Sequence, residues 1–174
     1  MSQHHIEALA TLANMHYIAS QIHARTPVQD ETGKSIVDYM DDATKHLNQS
    51  LLHSNTGNAQ NSLFSLRQTY QHTEGVMGML LKAGEHQINE AENGRMLGSD
   101  LIKNMTDMNA FADHHAAFLD KGKAIVADQQ KKGLAQADLQ NNARDVIEGI
   151  ADDNNLFLPG GWVNRGNNEA PNGE

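Results

Sequence analysis

Apolar positions recur along this chain at steps of three and four residues, the period of one face of an α-helix. Ala8, Leu12, Met15, Ala19 and Ile22 form the first such stripe. It must stop before Thr26-Pro27, because proline excludes the helical conformation of its predecessor and brings no amide donor. Beyond Gly33, the run Ser35-Ile36-Val37-Asp38 predicts a capping box, in which hydroxyl and carboxylate satisfy opposite orphan amides. Ile36, Met40, Ala43, Leu47 and Leu51 then make the apolar face of a second helix, and Ser54 to Asn58 is a turn cluster.

Two longer stripes follow. Ala59, Leu63, Leu66, Tyr70, Thr73, Met77, Leu80 and Gly84 form a nearly unbroken seam that breaks around Gly94 to Gly98. Ser99 is the expected cap of a fourth helix carrying Leu101, Met105, Met108, Ala112, His115, Leu119, Gly122 and Val126. Phe111, Phe118 and Ile125 widen that stripe at heptad spacing. Each of these two helices runs roughly 30 residues, or about 45 Å. A shorter fifth helix is marked by Ala135, Leu139, Ala143, Val146 and Ile150. Nothing alternates with period two over a useful length. The pattern predicts an all-α protein: an antiparallel helical bundle of about five helices over residues 1–152, then an extended, non-helical C-terminal tail over 153–174.

Gly75, Gly78 and Gly84 sit inside the third helix, where each costs roughly 1 kcal/mol relative to alanine. Close packing against the fourth helix, whose own Gly122 lies on the seam, is the expected reason. A hinge or a notch for another chain is the alternative.

Composition sharpens this picture. Leu, Ile, Val and Phe make up about 20% of the chain, the lower edge for independent folding, so the core must be lean. The net charge is −9, which makes nonspecific binding to nucleic acid or an anionic membrane repulsive. No cysteine is present, excluding disulfides, thiolate catalysis and zinc–thiolate sites. No apolar run approaches the roughly 20 residues that span a bilayer. Met1 to His5 has neither the basic start nor the apolar stretch of a signal peptide.

Ten histidines are the compositional anomaly, so metal chemistry comes first. A ferritin-like di-iron site needs Glu-x-x-His on two helices, and no Glu-x-x-His or His-Glu-x-x-His occurs. The nearest substitutes are the i,i+4 pairs Asp42 with His46 and His86 with Glu90. His72 and His86 fall opposite the third seam, where a solvated polar face explains them. His5, His16 and His23 line the margin of the first stripe, and His46 and His53 that of the second. His115 occupies a seam position and requires burial with a hydrogen-bond partner, or a cavity. Marginal histidines keep a polar edge wet, and a pH-responsive interface is the functional alternative. No catalytic residues, metal ligands or cofactor are expected. Lys121, Lys123, Lys131 and Lys132 are too few, and too short of aromatics, for a nucleic-acid footprint.

The C-terminal segment carries the functional expectation. Leu156, Phe157, Leu158, Trp162 and Val163 lie in a stretch otherwise rich in Asn, Gly and Asp, and Pro159-Gly160-Gly161 forbids helical continuation. An exposed cluster of that kind is an association liability, and tryptophan is a favoured hot spot. These five residues are therefore expected to anchor the chain to a neighbouring subunit. The leading expectation is a non-enzymatic structural protein, a bacteriophage virion component such as a head–tail connector, neck or minor capsid protein. It would be a homo-oligomer or multi-copy component, with no direct nucleic-acid or membrane partner. The alternatives are a metal-binding helical-bundle enzyme using His and carboxylates, and an adaptor or regulatory bundle of the bacterial cytoplasm.

Overall fold

The computed structural model describes residues 3–131. Four helices, α1 (Gln3–Arg25), α2 (Ile36–Asn55), α3 (Ala59–Glu92) and α4 (Gly98–Lys131), account for 86% of them, and no strand occurs among them. The fifth predicted helix and the tail 153–174 lie outside the described residues.

Each helix runs antiparallel to both of its neighbours, and the order around the bundle is α1, α2, α3, α4. Contacts between the ends show this directly. Ser50 of α2 meets Ser62 of α3, Gln87 of α3 meets Asn104 of α4, and Lys121 of α4 reaches back to Glu7 of α1. The described helices thus form an up-down-up-down four-helix bundle.

The core takes the predicted stripes. Ala8, Leu12, Met15, Ala19 and Ile22 are fully buried, as are Ile36, Met40, Ala43 and Leu47, and the α3 seam is buried throughout. Burying a side chain such as Leu66 is worth about 1.5–3 kcal/mol, so this face holds the helices together. The stripe of α4 is centred differently from expectation. Leu101 and Met105 are only half-buried, whereas Asn104, Phe111, Phe118 and Ile125 are fully enclosed.

The helix boundaries follow their local chemistry. Ser35 accepts the Asp38 amide at 3.1 Å, and the Asp38 carboxylate accepts the Ser35 amide at 3.0 Å, completing the capping box. Asn58 caps α3 by accepting the Asn61 amide. Ser99 does not cap α4. The Leu97 carbonyl already accepts the Leu101 amide, so the helix begins one residue before that serine.

Two glycine expectations need correction. Gly75 faces the Tyr39 ring of α2, 3.6 Å from where its Cβ would be, rather than α4. Nothing stands within 4 Å of a Cβ built on Gly78, so close packing does not account for that residue.

Polar side chains enter the core at three levels. At one end, Ser50 Oγ donates to the Ser62 carbonyl and Ser62 Oγ to the Ser50 carbonyl, at 2.7 and 2.8 Å. Each hydroxyl proton is thereby committed, so fully buried His5 donates from Nε2 to Ser50 Oγ at 2.9 Å. His5 was expected at the margin of its stripe, and serine pairing draws it inside. The middle level repeats the device: Thr73 Oγ1 donates to the Tyr70 carbonyl, and His115 Nε2 donates to Thr73 Oγ1. At the other end, the Asn104 amide donates to Gln87 Oε1 and Thr26 Oγ1, while its oxygen accepts from Arg25. Such groups are costly to bury unless partnered, so together the three levels fix the axial register of all four helices.

Candidate functional site

The ten-residue connection from Thr26 to Ser35 folds as a small hairpin over the edge of α3. Its ladder runs Asp30 amide to Lys34 carbonyl and Ile36 amide to Val28 carbonyl, pairing Gln29 with Ser35. The turn needs a left-handed residue, and Gly33 supplies it at φ +88°. Asp30 is the hub: its Oδ1 accepts the Thr32 amide, the Thr32 hydroxyl and the Lys34 amide, and its Oδ2 accepts the Tyr39 hydroxyl at 2.6 Å. These bonds, that from Tyr39 above all, hold the carboxyl down at about 2. The same contact raises the Tyr39 phenol.

A strip of titratable groups continues from this hub along α2 and α3. Lys34 lies over the Tyr39 ring and pairs with Asp42, an ion pair that lowers the carboxyl and raises the ammonium. His72 Nε2 stands 3.9 Å from the same carboxylate, and the His46 and His72 rings approach to 4.9 Å between centroids. Burial lowers the His46 imidazole, the neighbouring His72 adding to the effect.

This strip is built as a brace. The amides of Thr32, Lys34 and Ser35 are consumed by Asp30 and Asp38, so the Gly33-Lys34-Ser35 stretch offers no phosphate cradle. A general acid or base works best with its ionisation near the operating pH. Asp30, Lys34, Tyr39 and Asp42 are all shifted away from neutrality.

Between the hairpin and the second half of α3 opens a cleft of about 530 Å³. Pro27, Val28, Met79 and Ala83 give it an apolar floor, and Lys82 and His86 stand one helical turn apart on its rim. Gln29 also lines it. In the hairpin ladder the bonds belong to the residues flanking Gln29, so its own amide and carbonyl point away from the partner segment.

The i,i+4 pairs singled out in the sequence are otherwise engaged. Asp42 is held by Lys34, and Glu90 accepts from the Arg95 guanidinium at 2.9 to 3.1 Å. Among the described residues no group of three or more His, Asp or Glu is arranged to hold a metal ion. His16 pairs with Asp41 at 2.7 Å, and His23 Nδ1 accepts the Val28 amide, tying the hairpin to α1. Lys121, one of the late basic residues, is paired with Glu7.

The anchor residues Leu156, Phe157, Leu158, Trp162 and Val163 lie outside the described residues. Sequence reasoning missed the cleft altogether. The signal was present in Asp30-x-Thr32-Gly33, an Asx-turn pattern nine residues ahead of an aromatic that could close it.

No protein-family model matches the chain, and comparison with curated proteins and with solved structures finds no match. None of the described helices is long and apolar enough to cross a membrane.

Proposed function

We propose that this chain is a non-enzymatic structural component of a larger protein assembly, and in the finer reading a bacteriophage virion protein of the connector, neck or minor capsid kind. It docks to neighbouring subunits through its helices and through the C-terminal segment containing Trp162. The observation that carries the reading is the braced hairpin. Titratable groups that could serve catalysis are spent on holding a backbone loop beside an apolar-floored cleft, which is the economy of a docking surface. Large apolar side chains left outside the bundle support it. Leu97 and Ile102 are 69% and 68% exposed near the α3–α4 turn, and Phe64 is half-exposed on α3.

The test is a paired thermal melt and assembly assay on the Trp162→Ala variant and on a chain ending at residue 153. The proposal expects helicity and melting to stay near those of the full chain while incorporation into the assembly is lost. Collapse of the melt, with incorporation per folded molecule unchanged, would make the segment an intramolecular clasp and defeat the reading.

A further inference from the structure

We infer that His46 and His72 form a two-histidine clamp that takes one divalent transition-metal ion, of the zinc, nickel and copper class, between α2 and α3. The inference stands apart from the docking role proposed above.

The sequence pairs Asp42 with His46 on one helix, whereas the structure brings His46 an imidazole from the next helix. The rings of His46 on α2 and His72 on α3 lie 4.9 Å apart between centroids, inclined at 42°. Two imidazoles sharing one ion through Nε2, at about 2.0–2.1 Å each, keep their centroids within about 6.5 Å. The observed spacing falls inside that limit.

Proton positions decide which ring atoms can bind. His72 Nδ1 lies 2.7 Å from the Gln68 carbonyl, which only accepts, so this ring donates from Nδ1. His46 Nδ1 lies 3.2 Å from Gln49 Oε1 and donates in the same way. Each neutral ring is left with its lone pair on Nε2, and His72 Nε2 faces α2, 3.9 Å from the Asp42 carboxylate. A metal-binding histidine ordinarily gives its other N–H to a carbonyl or carboxylate, which fixes its tautomer and orientation. Both rings hold that arrangement, each through a residue of its own helix. Burial, helped by the neighbouring ring, lowers the His46 imidazole, which keeps it in the neutral form that binds metal.

Asp42 is committed to Lys34, and among the described residues no set of three ligands forms. The protein therefore supplies two ligands and water the rest, and both rings are exposed enough to admit them. Imidazole suits zinc, nickel and copper, whereas calcium and magnesium take oxygen ligands, so the donor set selects the metal class. Because both rings are already in place, the second bond forms within one molecule, and the ion ties α2 to α3.

The test is calorimetric titration of the untagged full chain with zinc chloride, beside His46→Gln, His72→Gln and the double variant. One ion per chain is expected to bind with a micromolar Kd, and saturating zinc should raise Tm because the clamp exists only in the folded chain. Each single variant should weaken binding by at least about tenfold and abolish the rise in Tm. The double variant should be no worse than either, since a clamp fails when one arm is gone. His53→Gln, on the same helix as His46, should change nothing. Should a variant lose helicity by circular dichroism, copper(II) added to the wild type decides, and it should broaden the His46 and His72 ring resonances together and first. No binding at millimolar zinc overturns the inference. So does a Kd unchanged in either single variant, which would mean an adventitious ion only, and so does copper broadening that begins at other histidines.

Discussion

The Tyr70 hydroxyl donates to the Phe118 carbonyl and lies directly against the backbone of Gly122. Its ring occupies the space a side chain at 122 would need: a Cβ there would lie 2.6 Å from Cζ and 2.8 Å from Cε2. A buried aromatic ring cannot step aside as a flexible side-chain end can. Burial, with no opposite charge to offset it, holds the phenol well above its ordinary range, so it stays neutral.

Gly122→Ala should therefore destabilise the bundle by about 1–3 kcal/mol, the usual cost of overpacking. Removing the ring by Tyr70→Leu should relieve the clash, so the double variant should lose less than the sum of the single losses. Urea titration of the four proteins checks this. Strictly additive losses would mean that the two residues do not meet.

The serine clasp predicts a second coupling. Ser50→Ala removes the nearer hydroxyl partner of His5 Nε2, at 2.9 Å, and leaves Ser62 Oγ at 3.5 Å, a loss of about 1–3 kcal/mol in a buried site. Exchanging His5 for Phe in that background removes the weakened polar contact and should restore part of the loss. A double-mutant cycle should return an interaction of at least about 0.5 kcal/mol. A value indistinguishable from zero would contradict the hydrogen bond.

The hairpin brace predicts acid behaviour. Asp30 has its carboxyl lowered from 3.8 to about 2 in the folded chain, so folding favours the ionised form. Its contribution is complete above the unfolded value and is lost as pH falls through the folded one. Carboxylate titration followed by NMR should show Asp30 still ionised near pH 3 in the wild type and shifted upward in Tyr39→Phe. An unchanged midpoint in that variant would remove Tyr39 as the main cause.

His46 follows the opposite sign rule. Its imidazole is lowered from 6.5, so the folded chain favours the neutral ring and loses stability as pH falls below the ordinary value. Its NMR midpoint should lie below 6.5, and His72→Gln should raise it by removing a like charge. A midpoint above 6.5 would contradict the burial of this ring.

Much of the bundle was readable from spacing. The α3 seam from Ala59 to Gly84, the stop at Thr26-Pro27 and the Ser35–Asp38 box all stand where periodicity and capping chemistry put them. What escaped was polar. Leu51 was read as the last core position of α2, yet the buried residues there are Ser50 and Ser54. Apolar periodicity does not see a serine that is buried because another serine faces it. Continuing the three-and-four step from Leu47 through polar residues would have reached both. Gln87 and Asn104 were invisible for the same reason, since each buried amide is satisfied by polar partners on other elements, Gln87 by Asn104 and Asn104 by Gln87, Thr26 and Arg25. The cleft was harder still, because it depends on a hairpin built over α3 from a loop with no periodicity of its own.

A chain that docks in a larger assembly should be recovered with it from the cell. The most direct measurement is the native mass of the untagged protein recovered from the cells that make it, by gradient sedimentation with quantitative immunodetection. Most of the protein should sediment with a particle of megadalton size, and Trp162→Ala should leave it at the top of the gradient. Wild-type protein recovered almost wholly at 19.1 kDa, at the concentration found in those cells, would contradict it.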